Sequence, residues 1–149
     1  MNLSSDLLLR GKTIVVTRAQ ENSAEAHRLF NAKGASVLDL PALIIGPPDT
    51  WEPLDQALSE INNFHWIVFS SGNGVRFVEE RMKLINNSLA SQVARSLKVA
   101  AVGSKTCRLL ESIGVKPDFV PPDFIADSLI KHFPMTSGMK ILLPRVQTG

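Results

Sequence analysis

Four large apolar residues in a row, Trp66-Ile67-Val68-Phe69, followed at once by Ser70-Ser71-Gly72-Asn73-Gly74-Val75, restrict the fold more than any other stretch of this chain. A strand covered on one face alternates apolar and polar residues; one with no polar position is covered on both, as in parallel sheets with helices on each side. The sudden change to hydroxyls and glycines then marks a strand-to-helix turn, because Val75, Val78, Met82 and Ile85 follow at helical spacing. At such a turn the backbone N–H groups of Ser71, Gly72, Asn73 and Gly74 stand at a helix start, where unpaired amides and the helix dipole favour an anion. The same residues also fit a plainer reading in which Ser70, Ser71 and Asn73 only cap the helix.

The rest of the chain repeats this strand-and-helix grammar. Lys12 to Thr17 is β-branched and reads as a strand. Asn22 and Glu25 stand in capping-box spacing before a helix striped with Ala26, Leu29 and Phe30, which Gly34 stops; Ala35 to Leu40 is the next strand. Residues 41–50, apolar between prolines, read as an extended connector and a domain crossing. Trp51, Leu54, Leu58 and Ile61 mark a helix with Pro53 in its first turn, and Val75 to Ile85 marks another. A short helical segment at Leu89 to Ser96, a buried strand at Leu97 to Val102 and a helix opened by Gly103-Ser104 and ended by Gly114 come next. Asp118 to Val120 is a short strand candidate, Ala126 to Phe133 a helix, and Met139 to Leu143 the last strand. The fold class expected is α/β, a parallel sheet with flanking helices of flavodoxin-like or Rossmann-like topology, within a two-domain architecture. The pattern predicts a further helix where the sequence stops, so the expectation is the front part of a longer protein.

Composition removes several classes of function. With 149 residues, 44% apolar and 20% charged, the chain suits one domain with a core plus a piece of another. A net charge of +2 with scattered Lys and Arg gives no nucleic-acid surface, and no segment has membrane-spanning length or a signal-peptide pattern, so a cytoplasmic location is expected. Cys107 is the only cysteine, and His27, His65 and His132 lie far apart, which leaves no metal-ligand spacing.

In open α/β sheets ligands bind beyond the carboxyl ends of the strands. The turns there contain Thr17-Arg18, Ser70 to Gly74, Gly103-Ser104-Lys105-Thr106 and Pro144-Arg145, a set of hydroxyls, amides and guanidinium groups without one carboxylate. Such a set receives an anion and is poorly equipped for general acid and base work. A phosphorylation receiver needs acids where Thr17-Arg18 and Phe69-Ser70 stand; a dinucleotide site needs Gly-x-Gly-x-x-Gly where Arg18 to Ser23 has no glycine; a Walker loop is also missing. Cys107 falls on the apolar stripe of its helix and reads as packing, and Lys105 reads as a solvated helix residue.

Taken in order, Val15-Val16-Thr17-Arg18, Phe69-Ser70-Ser71-Gly72-Asn73-Gly74-Val75, Ala101-Val102-Gly103-Ser104-Lys105-Thr106, Phe119-Val120-Pro121 and Leu142-Leu143-Pro144-Arg145 resemble the motifs of uroporphyrinogen-III synthases. The resemblance implies two α/β domains joined by a pair of extended strands. Residues 1–40 would be the first strand and helix of one domain, and 41–149 the second domain, entered through the connector at 41–50. It also implies a cofactor-free and metal-free lyase that closes the linear tetrapyrrole polycarboxylate hydroxymethylbilane to uroporphyrinogen III and inverts the last ring. In that reaction loss of hydroxide leaves an azafulvene, the last ring attacks it through its substituted carbon to give a spiro intermediate, and fragmentation and reclosure follow. By the same resemblance Ser70, Ser71, Gly72, Asn73, Gly74, Gly103 and Ser104 would meet substrate carboxylates, Thr106 would hydrogen-bond substrate, and Arg18 and Arg145 would supply charge or cleft structure. The full-length protein would be a monomer with no nucleic-acid or membrane partner. Two departures stand out: the chain has no Tyr, where the family often places one near the cleft after the last motif, and Cys107 stands where a small residue such as alanine is usual. The alternative from another class is a non-catalytic α/β module that binds an anion or a partner domain.

Overall fold

The computed structural model describes residues 7–17, 23–41, 45–123 and 126–145, arranged in two compact units, Met1–Pro47 and Pro48–Gly149. The first unit holds strand β1 (Thr13–Val16), helix α1 (Ala24–Ala32) and strand β2 (Ser36–Asp39), with β1 and β2 parallel and Thr13 opposite Ser36. Two parallel strands and one helix cannot enclose a core. Of its described apolar residues only Val16 and Ala35 are buried, while Val15, Leu29 and Leu38 remain about half exposed. The stripe expected on α1 is therefore present as a pattern but is not buried in this unit. The helix takes Ser23 as its N-cap, one residue later than the capping box anticipated, and Asn22 lies outside the described residues. No helix or strand forms among the described residues of the 41–50 connector.

The second unit is a covered parallel sheet. Helix α2 (Glu52–Ser59) admits Pro53 in its first turn, where a missing N–H costs no hydrogen bond, and a single 3-10 turn over Ile61–Asn63 leads to strand β3 (Trp66–Phe69). Helix α3 (Gly72–Leu84), helix α4 (Leu89–Arg95), strand β4 (Lys98–Ala101), helix α5 (Ser104–Ser112), helix α6 (Ala126–His132) and strand β5 (Ile141–Leu142) follow. The strands lie in the order β4-β3-β5, all parallel, with Trp66 opposite both Lys98 and Ile141. Phe119, expected within a short strand, makes only a one-residue parallel bridge to Ala100 on the outer edge of β4.

The four apolar residues of β3 divide by the strand period of two. Ile67 and Phe69 enter the larger core with Leu58, Val75, Val78, Met82, Val99 and Leu110. Trp66 and Val68 face the other side with Ala100, where Phe119, Leu129, Phe133 and Met139 pack on them. Aromatic edges fasten this second face, Trp66 against Phe133 at 4.9 Å between centroids and Phe119 against Phe133 at 5.6 Å. Both faces are covered, as the unbroken apolar run required.

On the outer side of the unit, Arg81 of α3 donates from Nε and Nη2 to both oxygens of Asp55 on α2 and stands over the Trp51 ring. The hydrogen bonds from Arg81 hold the Asp55 carboxyl below its ordinary value of 3.8, against a smaller opposing effect of desolvation. The contribution to stability is thus complete at neutral pH and is lost as pH falls through the lowered value. Asp55→Asn should lower the melting temperature at pH 7, and melting curves recorded at successively lower pH should show that difference shrinking below the ordinary carboxylate range. Ile67 is fully buried at the centre of the sheet. Ile67→Ala is expected to cost about 2–5 kcal/mol in denaturant unfolding.

Candidate functional site

Three turns of the second unit meet at one rim. Because β3 and β4 are parallel with Phe69 opposite Ala101, the turns after them emerge side by side, and α3 and α5 start from the same edge. A Cβ placed on Gly72 would lie 3.3 Å from Leu109 Cδ2 of α5, which shows how closely these helices approach. A Cβ on Gly74 would lie 3.9 Å from the Pro144 carbonyl oxygen, so the segment after β5 borders the same turn. With Phe119 beyond β4, the spatial order runs third, second, first, fourth in sequence of appearance, and its direction reverses between β3 and β5. The Ser70 to Gly74 turn thus stands at the topological switch point, where an open α/β sheet leaves a crevice.

The start of α3 is more tightly wound than the sequence suggested. Helix geometry begins at Gly72, three residues before Val75, with extended Ser71 as N-cap. Its Oγ accepts from the Gly74 N–H at 3.4 Å, a long contact, whereas the Gly72 and Asn73 amides have no acceptor among the described residues. Capping therefore uses one amide of this helix start and leaves two without an acceptor among the described residues.

Electrostatics separate these two helices from their neighbours. Neither α3 nor α5 has an acidic residue in its first turn, while α1 carries Glu25, α2 carries Glu52 and Asp55, and α6 carries Asp127. α4 also lacks an acid but closes its own start with a reciprocal Ser88 and Ser91 capping box. The positive ends of α3 and α5 are thus left without a neutralising carboxylate of their own.

The remaining residues of interest fall as follows. Gly103 caps α5 with φ +92° and ψ 144°, a conformation open in practice only to glycine, and nothing lies within 4 Å of where its Cβ would be. Ser70, Ser71, Ser104, Lys105 and Arg145 are exposed, and Gly72, Asn73, Gly74 and Gly103 are half-buried. Thr106, expected to face substrate, is only 3% exposed and points its bulk into the unit. Arg18 lies outside the described residues. Cys107 packs against the larger core, and burial raises its thiol above the ordinary range, with the Glu111 charge adding to the shift; it is a packing group. The sequence placed Pro144 among the strand-end turns but did not single out Leu109 or show that either borders the Ser70 to Gly74 turn, since no local signal reports which turn a distant segment will meet.

The family model for uroporphyrinogen-III synthase HemD matches residues 24–149, most of the chain. The chain belongs to the uroporphyrinogen-III synthase family. It is 42% identical over 142 residues to the uroporphyrinogen-III synthase of Synechococcus elongatus, covering 95% of this chain and 53% of that protein. It is 29% identical over 116 residues to the porphyrin biosynthesis protein HemD of Ruminiclostridium josui, covering 78% of this chain and 23% of that protein. The fold matches a crystal structure of uroporphyrinogen III synthase from Thermus thermophilus with a TM-score of 0.59 at 21% identity, over 93% of this chain and 53% of that one. The chain thus spans about half the length of the Synechococcus relative. Membership of the uroporphyrinogen-III synthase family agrees with the α/β fold and with the order of turn motifs read from the sequence.

Glycine at 103 is required by conformation and not by space. Gly103→Ala is expected to destabilise the protein by about 1–3 kcal/mol in denaturant unfolding, from strain alone.

Proposed function

We propose that the full-length protein carrying this sequence is a uroporphyrinogen-III synthase, a lyase of tetrapyrrole biosynthesis acting on hydroxymethylbilane. The observation that carries the reading is the pair of acid-free helix starts, α3 and α5, side by side at the switch point of the sheet. A linear tetrapyrrole bears acetate and propionate carboxylates along its length. Amides at helix starts receive such groups without a high net charge, which suits a chain of net charge +2.

In this reading the chain's own groups position substrate and transfer no proton of their own. Gly72 and Asn73 N–H donate to one carboxylate, the Ser70 and Ser71 hydroxyls add donors, and the Gly103-Ser104 turn holds a second carboxylate nearby. Fixing several carboxylates sets the terminal ring against the electrophilic carbon left by departing hydroxide, in the pose that leads to the inverted product. Arg145 supplies charge beside Pro144, and Thr106, being buried, meets no substrate in this reading. Such chemistry calls for orientation more than for acid and base groups. A cytoplasmic, monomeric enzyme without metal or cofactor is the corresponding setting.

The product isomer tests the proposal. Given hydroxymethylbilane, the full-length protein should yield uroporphyrinogen III; only the uninverted uroporphyrinogen I that forms without enzyme would refute it. Ser71→Asp separates anion reception from capping, because Asp caps a helix as well as Ser does while its charge repels a carboxylate. The melting temperature should hold or rise and turnover should fall; unchanged turnover would leave the turn as a cap only.

A further inference from the structure

At the opposite end of the same sheet, roughly 13 Å from the Ser70 turn along a four-residue strand, a cavity of about 490 Å³ opens over the amino ends of β4, β3 and β5. It lies wholly within the second unit. It is an open recess in the surface, so a molecule seated there would keep one side in solvent. Phe64, Trp66 and Met139 give it an apolar wall, and Trp66 is held rigidly, being 5% exposed and packed edge-on by Phe133. The polar part comes from the start of each strand: His65, Lys98 and the Ser137 loop. No Asp or Glu lines it.

The donors here are ordered by the fold. The His65 backbone N–H donates to the Lys140 carbonyl at 2.9 Å, and its ring Nδ1 accepts the Lys140 N–H at 2.9 Å. With Nδ1 acting as acceptor, the neutral ring carries its proton on Nε2, a donor that has no partner among the described residues. The Lys98 ammonium stands 5.6 Å from the Trp66 ring centroid and forms no ion pair among the described residues. A cation, an imidazole N–H and a hydroxyl beside an indole, with no carboxylate to neutralise them, match one ligand chemistry.

We propose that this cavity is a second ligand site, taking a small carboxylate or phosphate carried on a flat apolar body. The anion meets Lys98 and His65 Nε2, and the flat body lies along Phe64 and Met139, with the rim of Trp66 at the floor. Charge-assisted hydrogen bonds fix one end and apolar contact the other. The site is independent of the tetrapyrrole reading, since it uses none of the residues at the carboxyl edge.

Residue-resolved NMR titration of the full-length protein tests this with benzoate, phenyl phosphate and the uncharged control benzyl alcohol. At least one of the two anions should give saturable shifts at Phe64 to Trp66, at the Trp66 indole N–H, at Lys98 and at Ser137 to Met139; the tighter of the two identifies the anion. Benzyl alcohol, and either anion with Lys98→Gln, should bind at least about fivefold more weakly. Lys98 is exposed and the one contact of its side chain among the described residues is the cation–π one with Trp66, so the variant should stay folded with a melting temperature within about 5 °C of the parent. Shifts confined to Ser70 to Gly74 and Gly103 to Thr106, no saturable shift, or undiminished binding by Lys98→Gln would each overturn the proposal.

Discussion

The second unit depends on one central strand that has a neighbour on each edge and a packed core on each face. β3 is paired with β4 along its whole length and with β5 at Trp66 and Ile67, and is covered on both faces, with Ile67 and Phe69 in the larger core and Trp66 and Val68 in the smaller. A slip of one residue would exchange the two faces and force Trp66 into the space shaped for Ile67 and Phe69. Register is therefore strongly specified, and with it the position of whatever follows Phe69. The turn at Ser70 to Gly74 inherits its placement from the burial behind it, as a loop on a rigid scaffold does.

The helix starts at that edge follow a different economy from the rest of the molecule. In α1, α2 and α6 a first-turn carboxylate answers the helix dipole, a favourable contact of a few tenths to about 1 kcal/mol. α3 and α5 forgo it, and α3 further accepts Gly72 and Gly74 inside its first turn, each less favourable than alanine by roughly 0.5–1 kcal/mol. Ser71 recovers part of this through a single long cap bond. The starts of α3 and α5 thus have less local support than those of the acid-started helices, as the proposed anion site would require.

Much of the fold was legible because burial leaves a period in the sequence. The unbroken run of β3, the 3.6-residue spacing of α3 and α5, and the stops at Gly34 and Gly114 all report local hydrogen bonding and facing, which neighbours along the chain decide. Errors gathered where local signals compete. Gly72 and Gly74 are poor helix formers, so the sequence placed the start of α3 at Val75, yet the Ser71 cap and the packing of Leu109 draw the helix back to Gly72. Phe119 has the composition of a strand but secures only a single bridge, because Pro121 and Pro122 end the run at once. In the first unit a well-formed stripe on α1 finds too little sheet to cover, since β1 and β2 present only four residues each.

By itself the sequence determined the order of strands and helices, the two-sided burial of β3, the acid-free character of the turns and the resemblance to uroporphyrinogen-III synthases, because each of these is written in residues close together in the chain. Only the tertiary structure decided the lateral order β4-β3-β5, and so the switch point, the Pro144 carbonyl beside Gly74, the burial of Thr106 and the cavity beneath Trp66. The reason is the range of the contacts involved. His65 and Lys140, which join β3 to the start of β5, are 75 residues apart. No periodicity within either segment encodes that meeting; it follows from which pairing buries the most apolar surface while leaving the backbone of β3 satisfied on both edges.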